Sequence, residues 1–377
     1  MPMKFHFTKE NLEKPLQRLS MIASSKTESP LSTLLVESSG TDVSLTATDR
    51  MRQIRFNLVG ACVEAGHITL PARKFMEIVR TLPIGASIEV EEMKSGDFIH
   101  VKSGKSRFKL HSLKPDGFPA LDAMDEKTER VPISVQNLRL LLKGVASSMA
   151  KDDVRTYLCG CLFEPLKGHL RVVATNGHRL AMCAIEAPCQ SLPSRNFIIP
   201  RDAIGDLLGL LSIEKDEERL VELRFTDHHF GVEIGSYRLL TGLIDGRYPN
   251  YESIIPEPTQ RRVQIDTPDV LGALDRATLL LGHDEKRLVK FSFSGKDLRI
   301  SAHNGLNESA DEQISADVSG ENGEISFNPD YLRDVLEVSR TGVMDLFIRD
   351  ASSAVRIEES SAIEGWASTY VVMPVML

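Results

Sequence analysis

Apolar residues recur along this chain at helical spacing, and the same arrangement comes round three times. Leu12, Leu16 and Leu19 follow Thr8 at plus four, plus eight and plus eleven; Leu138, Leu142 and Val145 follow Ser134; Val270, Leu274 and Ala277 follow Asp266. That spacing draws one apolar stripe along a helix. Thr, Ser and Asp at the head of each stripe can cap the free N–H groups of a helix start. A second pattern runs in step with the first. Pro71, Pro200 and Asn328 are followed at plus four and plus eight by Phe75 and Val79, Ile204 and Leu208, and Leu332 and Leu336. The predicted helices are 8–22, 71–82, 134–150, 200–211, 266–281 and 328–341. Proline suits the first turn of a helix, where its missing N–H costs nothing. Pro15 lies inside the first helix and is expected to kink it.

Between the helices, two-residue alternation and β-branched residues mark strands at 43–47, 88–91, 98–101, 107–110, 171–174, 237–240 and 298–301. Short turns containing Gly or Asp join most of them, which implies antiparallel meanders with helices over one sheet face. The heads of the first pattern lie 126 and 132 residues apart, and those of the second 129 and 128. Such a period is too long for a solenoid unit and matches a small domain. Each repeat also contains two cap-and-helix units. The expected fold class is therefore α+β: three repeated domains, each with two helices packed on antiparallel sheet. The expected boundaries are 1–127, 128–257 and 258–377, with linkers at 121–130 and 256–262.

Composition adds limits. The chain is 42% apolar and 26% charged, with no low-complexity tract. No stretch reaches the roughly 18 apolar residues of a membrane span. The first six residues lack the apolar core of a signal peptide, so a cytoplasmic location without membrane association is expected. Five cysteines, none in a Cys-x-x-Cys pair, read as reduced and structural; Cys159 and Cys161 are expected on one face of a strand. The net charge of −8 argues against an ordinary nucleic-acid binder. The six predicted helices nevertheless sum to +1, so the acid lies elsewhere and the helical face is less repulsive to phosphate.

Catalytic constellations do not assemble in the sequence. Ser103-Gly104-Lys105-Ser106 lacks the upstream glycine of a phosphate loop and reads as a hairpin turn. His178, in Gly177-His178-Arg179, and the pair His228-His229 have no nucleophile or ligand-spaced companions. A non-catalytic binding platform without metal or cofactor is the expectation. Its best-marked segments are Asp153-Val-Arg-Thr-Tyr-Leu158, Ala174-Thr-Asn-Gly-His-Arg-Leu180 and the apolar tail from Tyr370 to Leu377. Methionines in that tail suggest an adaptable surface for several partners.

At these residues the chain closely resembles the bacterial sliding clamps, the β subunits of the replicative DNA polymerase III. The resemblance runs the full length. It takes in Lys14-Pro-Leu-Gln, Leu70-Pro-Ala-Arg-Lys-Phe75, Ser106-Arg-Phe-Lys-Leu followed by Phe118-Pro, Ser191-Leu-Pro-Ser and Asp245-Gly-Arg-Tyr-Pro-Asn-Tyr251. It implies three DNA-clamp domains per chain and a head-to-tail homodimer closed into a ring around double-stranded DNA, with helices lining the hole. It implies a processivity factor that holds the polymerase III catalytic subunit, a clamp loader, repair and translesion polymerases, ligase and mismatch-repair proteins.

By the same resemblance, a partner-peptide groove between the second and third domains comprises Leu158, Thr175, Gly177, His178, Arg179, Leu180, Pro249, Ile254, Val371, Val372, Met373 and Pro374. DNA contacts match Lys26, Arg73, Arg155, Tyr157 and Arg201. Dimer contacts match Phe108 and Leu110 on an edge strand, and Leu279 and Leu280 on the opposing chain. Thr156, Ser253, Ala354 and Met376 depart from residues often found in the family, which bears on affinity and partner preference.

Overall fold

Each of the six stripes forms a helix, and nearly all the residues that the spacing picks out go inside. The computed structural model describes residues 2–23, 29–121, 124, 128–189, 197–282 and 287–376. The first repeat contains β1 (Lys4–Thr8), α1 (Lys9–Ile22), β2 (Thr33–Ser39), β3 (Asp42–Thr48), β4 (Arg52–Leu58), β5 (Cys62–Glu64), β6 (His67–Pro71), α2 (Ala72–Thr81), β7 (Ser87–Glu92), β8 (Phe98–Ser103) and β9 (Ser106–His111). The second contains β10 (Glu129–Ser134), α3 (Val135–Ala146), β11 (Gly160–Leu166), β12 (His169–Thr175), β13 (Arg179–Glu186), β14 (Phe197–Pro200), α4 (Arg201–Leu211), β15 (Leu220–Phe225), β16 (His229–Ile234) and β17 (Tyr237–Gly242). The third contains β18 (Arg262–Asp266), α5 (Thr267–Ala277), β19 (Val289–Ser294), β20 (Asp297–His303), β21 (Ser309–Ser315), β22 (Asp317–Ser319), β23 (Gly323–Phe327), α6 (Pro329–Leu336), β24 (Val343–Phe347), β25 (Val355–Glu359) and β26 (Trp366–Val372).

The nine apolar residues of the first pattern are fully buried. In the second pattern Leu208 is half-buried, and Leu207, Leu210 and Leu211 are buried in its place. The stripe on α4 thus sits one position earlier than the plus-eight spacing suggests. Helix starts fall where expected, with some changes in chemistry. Asp266 and Asn328 accept N–H bonds from Asp269 and Asp330, as caps should. Thr8 holds the cap position without such a bond, and Pro71 precedes the first helical residue rather than occupying it. The helix α1 continues through Pro15 to Ile22. The carbonyl deprived of its partner there belongs to exposed Asn11, where water can satisfy it.

Cys159 departs from expectation. It sits in the turn before β11, half-buried, while Cys161 is buried within that strand. Gly104, at φ +54°, makes the two-residue turn between β8 and β9.

The chain divides into two compact units, 1–135 with 205–243, and 136–204 with 244–377. The division passes through the second repeat because its strands are shared between two composite sheets. The first unit holds a five-stranded sheet, β5-β1-β7-β8-β9, and an eight-stranded sheet, β10-β15-β16-β17-β4-β3-β2-β6. In the latter, β17 of the second repeat pairs antiparallel with β4 of the first, Tyr237 opposite Phe56. The second unit holds a nine-stranded sheet, β14-β11-β12-β13-β26-β25-β24-β18-β22, and a four-stranded sheet, β21-β20-β19-β23. There β26 of the third repeat pairs antiparallel with β13 of the second, Leu180 opposite Val371. Both joints use the same two strands of the repeat: the third of one meander and the last of the next repeat.

Candidate functional site

The β13–β26 joint places the 177–180 segment beside the C-terminal tail, within the second unit. Asn176 shapes the turn into β13: its Oδ1 accepts the N–H groups of His178 and Arg179 at 3.0 and 3.1 Å. Gly177 adopts φ +86°, a left-handed conformation that side chains disfavour. Thr175 closes the turn by donating to the Arg179 carbonyl at 2.7 Å. Beyond the last ladder position, the Met373 N–H donates to the His178 carbonyl at 2.9 Å.

Over this joint lies an apolar cluster of Leu162, Val173, Leu180, Ile198, Tyr248, Tyr251 and Val371, flanked by half-buried Tyr157, Met182, Ile244, Ile255 and Ala354. The segment between β17 and β18 supplies its two central rings. The Tyr248 hydroxyl accepts the Thr175 N–H at 3.1 Å. The Tyr251 hydroxyl donates to Glu164 and accepts from Arg171 at 2.8 Å. Burial and the Glu164 carboxylate both push the Tyr251 phenol well above its ordinary value, so it stays neutral and available for those bonds.

The expected groove residues divide by exposure. Leu158, Thr175, Arg179, Leu180, Val371 and Val372 are buried. Gly177, His178, Pro249, Ile254 and Met373 are exposed, and Pro374 is half-buried. The first set is packed inside the second unit, and the second is open to solvent or nearly so. Arg179 is a support: it reaches Asp334 of α6 at 2.6 Å and the Ser147 carbonyl beyond α3, and its guanidinium lies 4.5 Å from the Tyr331 ring centre. His178 stacks on Tyr331 at 6.5 Å between ring centres. Its ring thus lies beside an aromatic ring at the surface. Among the described residues, no group of three His, Cys, Asp or Glu side chains could hold a metal ion.

Tyr248 and Tyr251 escaped assignment from sequence. The available signal was the Asp245–Tyr251 stretch itself, which carries part of the family resemblance and two of the chain's six tyrosines.

The expected DNA contacts are spread across the chain. Lys26 lies outside the described residues, as does the Ser191-Leu-Pro-Ser segment. Arg73 is exposed on α2 of the first unit. In the second unit, Arg155 makes a two-pronged pair with Asp153, at 3.0 and 2.9 Å, which holds the Asp153 carboxyl down to about 2. Tyr157 packs against the cluster, and Arg201 donates to the Met149 carbonyl at 2.8 Å.

The expected dimer residues lie at two sheet margins. Phe108 and Leu110 are on β9, an edge strand; Phe108 is half-buried, whereas Leu110 turns inward. Leu279 is 80% exposed in the turn after α5, beside half-buried Leu280. Asn304 donates to the Leu280 carbonyl at 3.1 Å, tying that turn to the end of β20.

Comparison with known proteins gives a consistent likeness over all this structure. Three family models match in order: the N-terminal domain of the DNA polymerase III beta subunit over residues 3–122, its central domain over 132–250 and its C-terminal domain over 252–376. The Proteus mirabilis beta sliding clamp is 36% identical over 377 residues, covering 100% of both chains. That of Escherichia coli K12 is 34% identical, again over 100% of both. A Pseudomonas aeruginosa sliding clamp, solved bound to griselimycin, superposes at a TM-score of 0.91 with 33% identity and complete coverage of both chains. A Caulobacter crescentus clamp, solved with polyethylene glycol in its putative beta-motif tethering region, gives 0.90 at 26% identity, also with complete coverage.

Proposed function

The chain belongs to the DNA polymerase III beta-subunit family, the beta sliding clamps, and on that premise we propose that two copies close head to tail into a ring around duplex DNA. The ring tethers the replicative polymerase without catalysing a reaction itself. One observation carries this reading. Two joints of the same kind, β4 with β17 and β13 with β26, already link the three repeats. The strands left over are β21, counterpart of β4 and β13, and β9, counterpart of β17 and β26; each ends its sheet. An unpaired edge invites another strand. A third joint made between β9 of one copy and β21 of the next turns two chains into a closed ring of six repeats. The charges agree, since β9 carries Arg107 and Lys109 where β21 carries Asp311 and Glu312. Leu279 and Phe108 then find cover at this junction.

A slider must attract phosphate weakly and avoid base edges. Encirclement removes the need for strong attraction, so a chain of net charge −8 suffices. Arg73, Arg155 and Arg201, with Lys26, supply that attraction, and Tyr157 lies close to Arg155 in sequence. The rim of His178, Pro249, Ile254 and Met373 receives short partner peptides with bulky apolar side chains, from the polymerase catalytic subunit, the clamp loader and repair proteins. A tethered polymerase then meets its template at high effective concentration.

The test is retention on DNA. Loaded on a nicked circle, the protein should survive a high-salt wash and leave once the circle is cut. Loss from the intact circle, or persistence on the linear form, would reject encirclement and leave a monomeric peptide-binding module as the reading.

A further inference from the structure

The turn leading into the joint strand is built alike in the two units. In the first, Asp49 Oδ1 accepts the N–H groups of Met51 and Arg52, each at 2.9 Å, and the Thr48 hydroxyl donates to the Arg52 carbonyl at 2.9 Å. Asn176 and Thr175 make the same bonds to His178 and Arg179 in the second. Arg50 takes φ +78° where Gly177 takes +86°. The Gly242 N–H donates to the Met51 carbonyl at 2.8 Å, as that of Met373 does to His178. Each turn ends on an arginine that leaves the strand for the second helix of the next repeat. Arg52 pairs with Asp206 of α4 at 3.1 Å, and Arg179 with Asp334 of α6 at 2.6 Å; both arginine side chains are mostly buried. The two acids lie six residues after the heads Pro200 and Asn328.

The third repeat departs from this arrangement. Its turn is one residue longer, with Asn307 at φ +62°. Asn304 Oδ1 accepts the N–H groups of Leu306 and Glu308, both at 3.0 Å. The Asn304 N–H donates to the Glu308 carbonyl at 3.1 Å, the bond that Asp49 gives to Arg52 and Asn176 gives to Arg179. Glu308 therefore holds the position of the two arginines. It is exposed, and its carboxylate accepts the Asn304 amide at 2.6 Å. Six residues after Pro71 stands Glu77, exposed on α2, where Asp206 and Asp334 stand on α4 and α6.

We infer that the joint between copies carries a repulsive pair, Glu308 against Glu77 of the partner subunit, at the place where each joint within the chain has an arginine–aspartate bond. The inference rests on the closed-ring reading. Like charges brought together at an interface oppose association. Arg107 and Lys109 facing Asp311 and Glu312 supply the attraction, and Lys74, exposed three residues before Glu77, offsets part of the repulsion. A second copy is thus held by a joint that two carboxylates keep weaker than the two inside the chain. Both side chains are open to solvent in the single chain, so their charge can be changed without unfolding it.

The test is subunit exchange between two pools of full-length protein carrying different fluorophores, read by energy transfer. Glu308→Arg should slow exchange at least about tenfold, because a guanidinium reaching Glu77 of the partner subunit replaces repulsion by a charge-assisted bond. Glu308→Gln, which removes the repulsion alone, should slow it several-fold. Adding Glu77→Ala to Glu308→Arg should return most of the gain. Exchange left unchanged by Glu308→Arg overturns the inference. Exchange quickened by it does so too, and means that Glu308 bonds Lys74 of the partner subunit instead. A gain that survives Glu77→Ala also overturns it. A parent protein that stays monomeric at every concentration rejects the ring itself and the inference with it, a failure distinct from these.

Discussion

The backbone N–H of Met373 donates to the carbonyl of His178, and two residues further on Val375 donates to the carbonyl of Ser326 at 2.8 Å. The tail is thereby held from both sides, by the β13 turn and by the edge strand β23. Its side chains stand at preset positions, with Met373 and Met376 exposed. The methionines suggested an adaptable surface, yet the backbone beneath them is fixed. A partner need not order this segment on binding.

Deleting residues 373–377 should abolish binding of a polymerase-derived peptide while the dimer persists. Fluorescence anisotropy and sedimentation together check this. Unchanged peptide affinity would move the groove elsewhere.

Gly177→Ala should destabilise the second unit by about 1–2 kcal/mol, the cost of a side chain in a left-handed conformation. The added methyl would also stand 3.4 Å from the Arg155 guanidinium. Chemical denaturation measures the first effect. Peptide titration should show weaker binding as well, because the same turn carries the His178 carbonyl that holds the tail.

Arg179→Ala removes the bond to Asp334, the bond to Ser147 and the stack on Tyr331 together. A loss of about 3 kcal/mol is expected, as for one partner of a largely buried ion pair. Arg179→Lys should recover less than half of it, because an ammonium cannot reproduce the fork. Unfolding curves of the two variants decide the point.

Leu279→Arg should give a monomer of unchanged melting behaviour at concentrations where the parent protein is dimeric. Leu279 is exposed within the single chain, so its replacement spares the fold. A dimer that survives this change would place the contact between copies elsewhere.

The Asp153–Arg155 pair sets a pH expectation. Its folded carboxyl titrates near 2, below the ordinary 3.8, because Arg155 hydrogen-bonds the charged form. A depressed acid contributes stability above its unfolded value and loses it as pH falls. The contribution should be intact above about pH 4 and fade between about 4 and 2. Carboxyl NMR titration of Asp153 reads this midpoint directly. Asp153→Asn should free the guanidinium and steepen the salt dependence of DNA association by up to about one unit of slope.

Much of the fold could be read along the chain because helices and hairpins are local. The stripe at Leu12, Leu16 and Leu19, and its two copies, needed only spacing to be placed inside. The seven expected strands all occur. The errors were also local in origin: Leu208 sits at the flank of its stripe, and Cys159 stands one residue outside its strand. The site was legible in part. Gly177 to Leu180 and the tail stood out as unlike the other repeats, whereas Tyr248 and Tyr251 come from a segment with no periodic signal at all.

The sequence by itself determined which faces of each element are apolar, how many copies of the repeat there are, and to which family the chain belongs. It could not determine which strand edge meets which. Pairing β17 with β4 and β26 with β13 satisfies backbone groups far apart in the chain, and side-chain alternation looks the same whichever edge a strand adopts. Tertiary structure made that choice. In doing so it brought Leu180, Tyr248, Tyr251 and Val371 into one cluster, and it left β9 and β21 each at the end of its sheet.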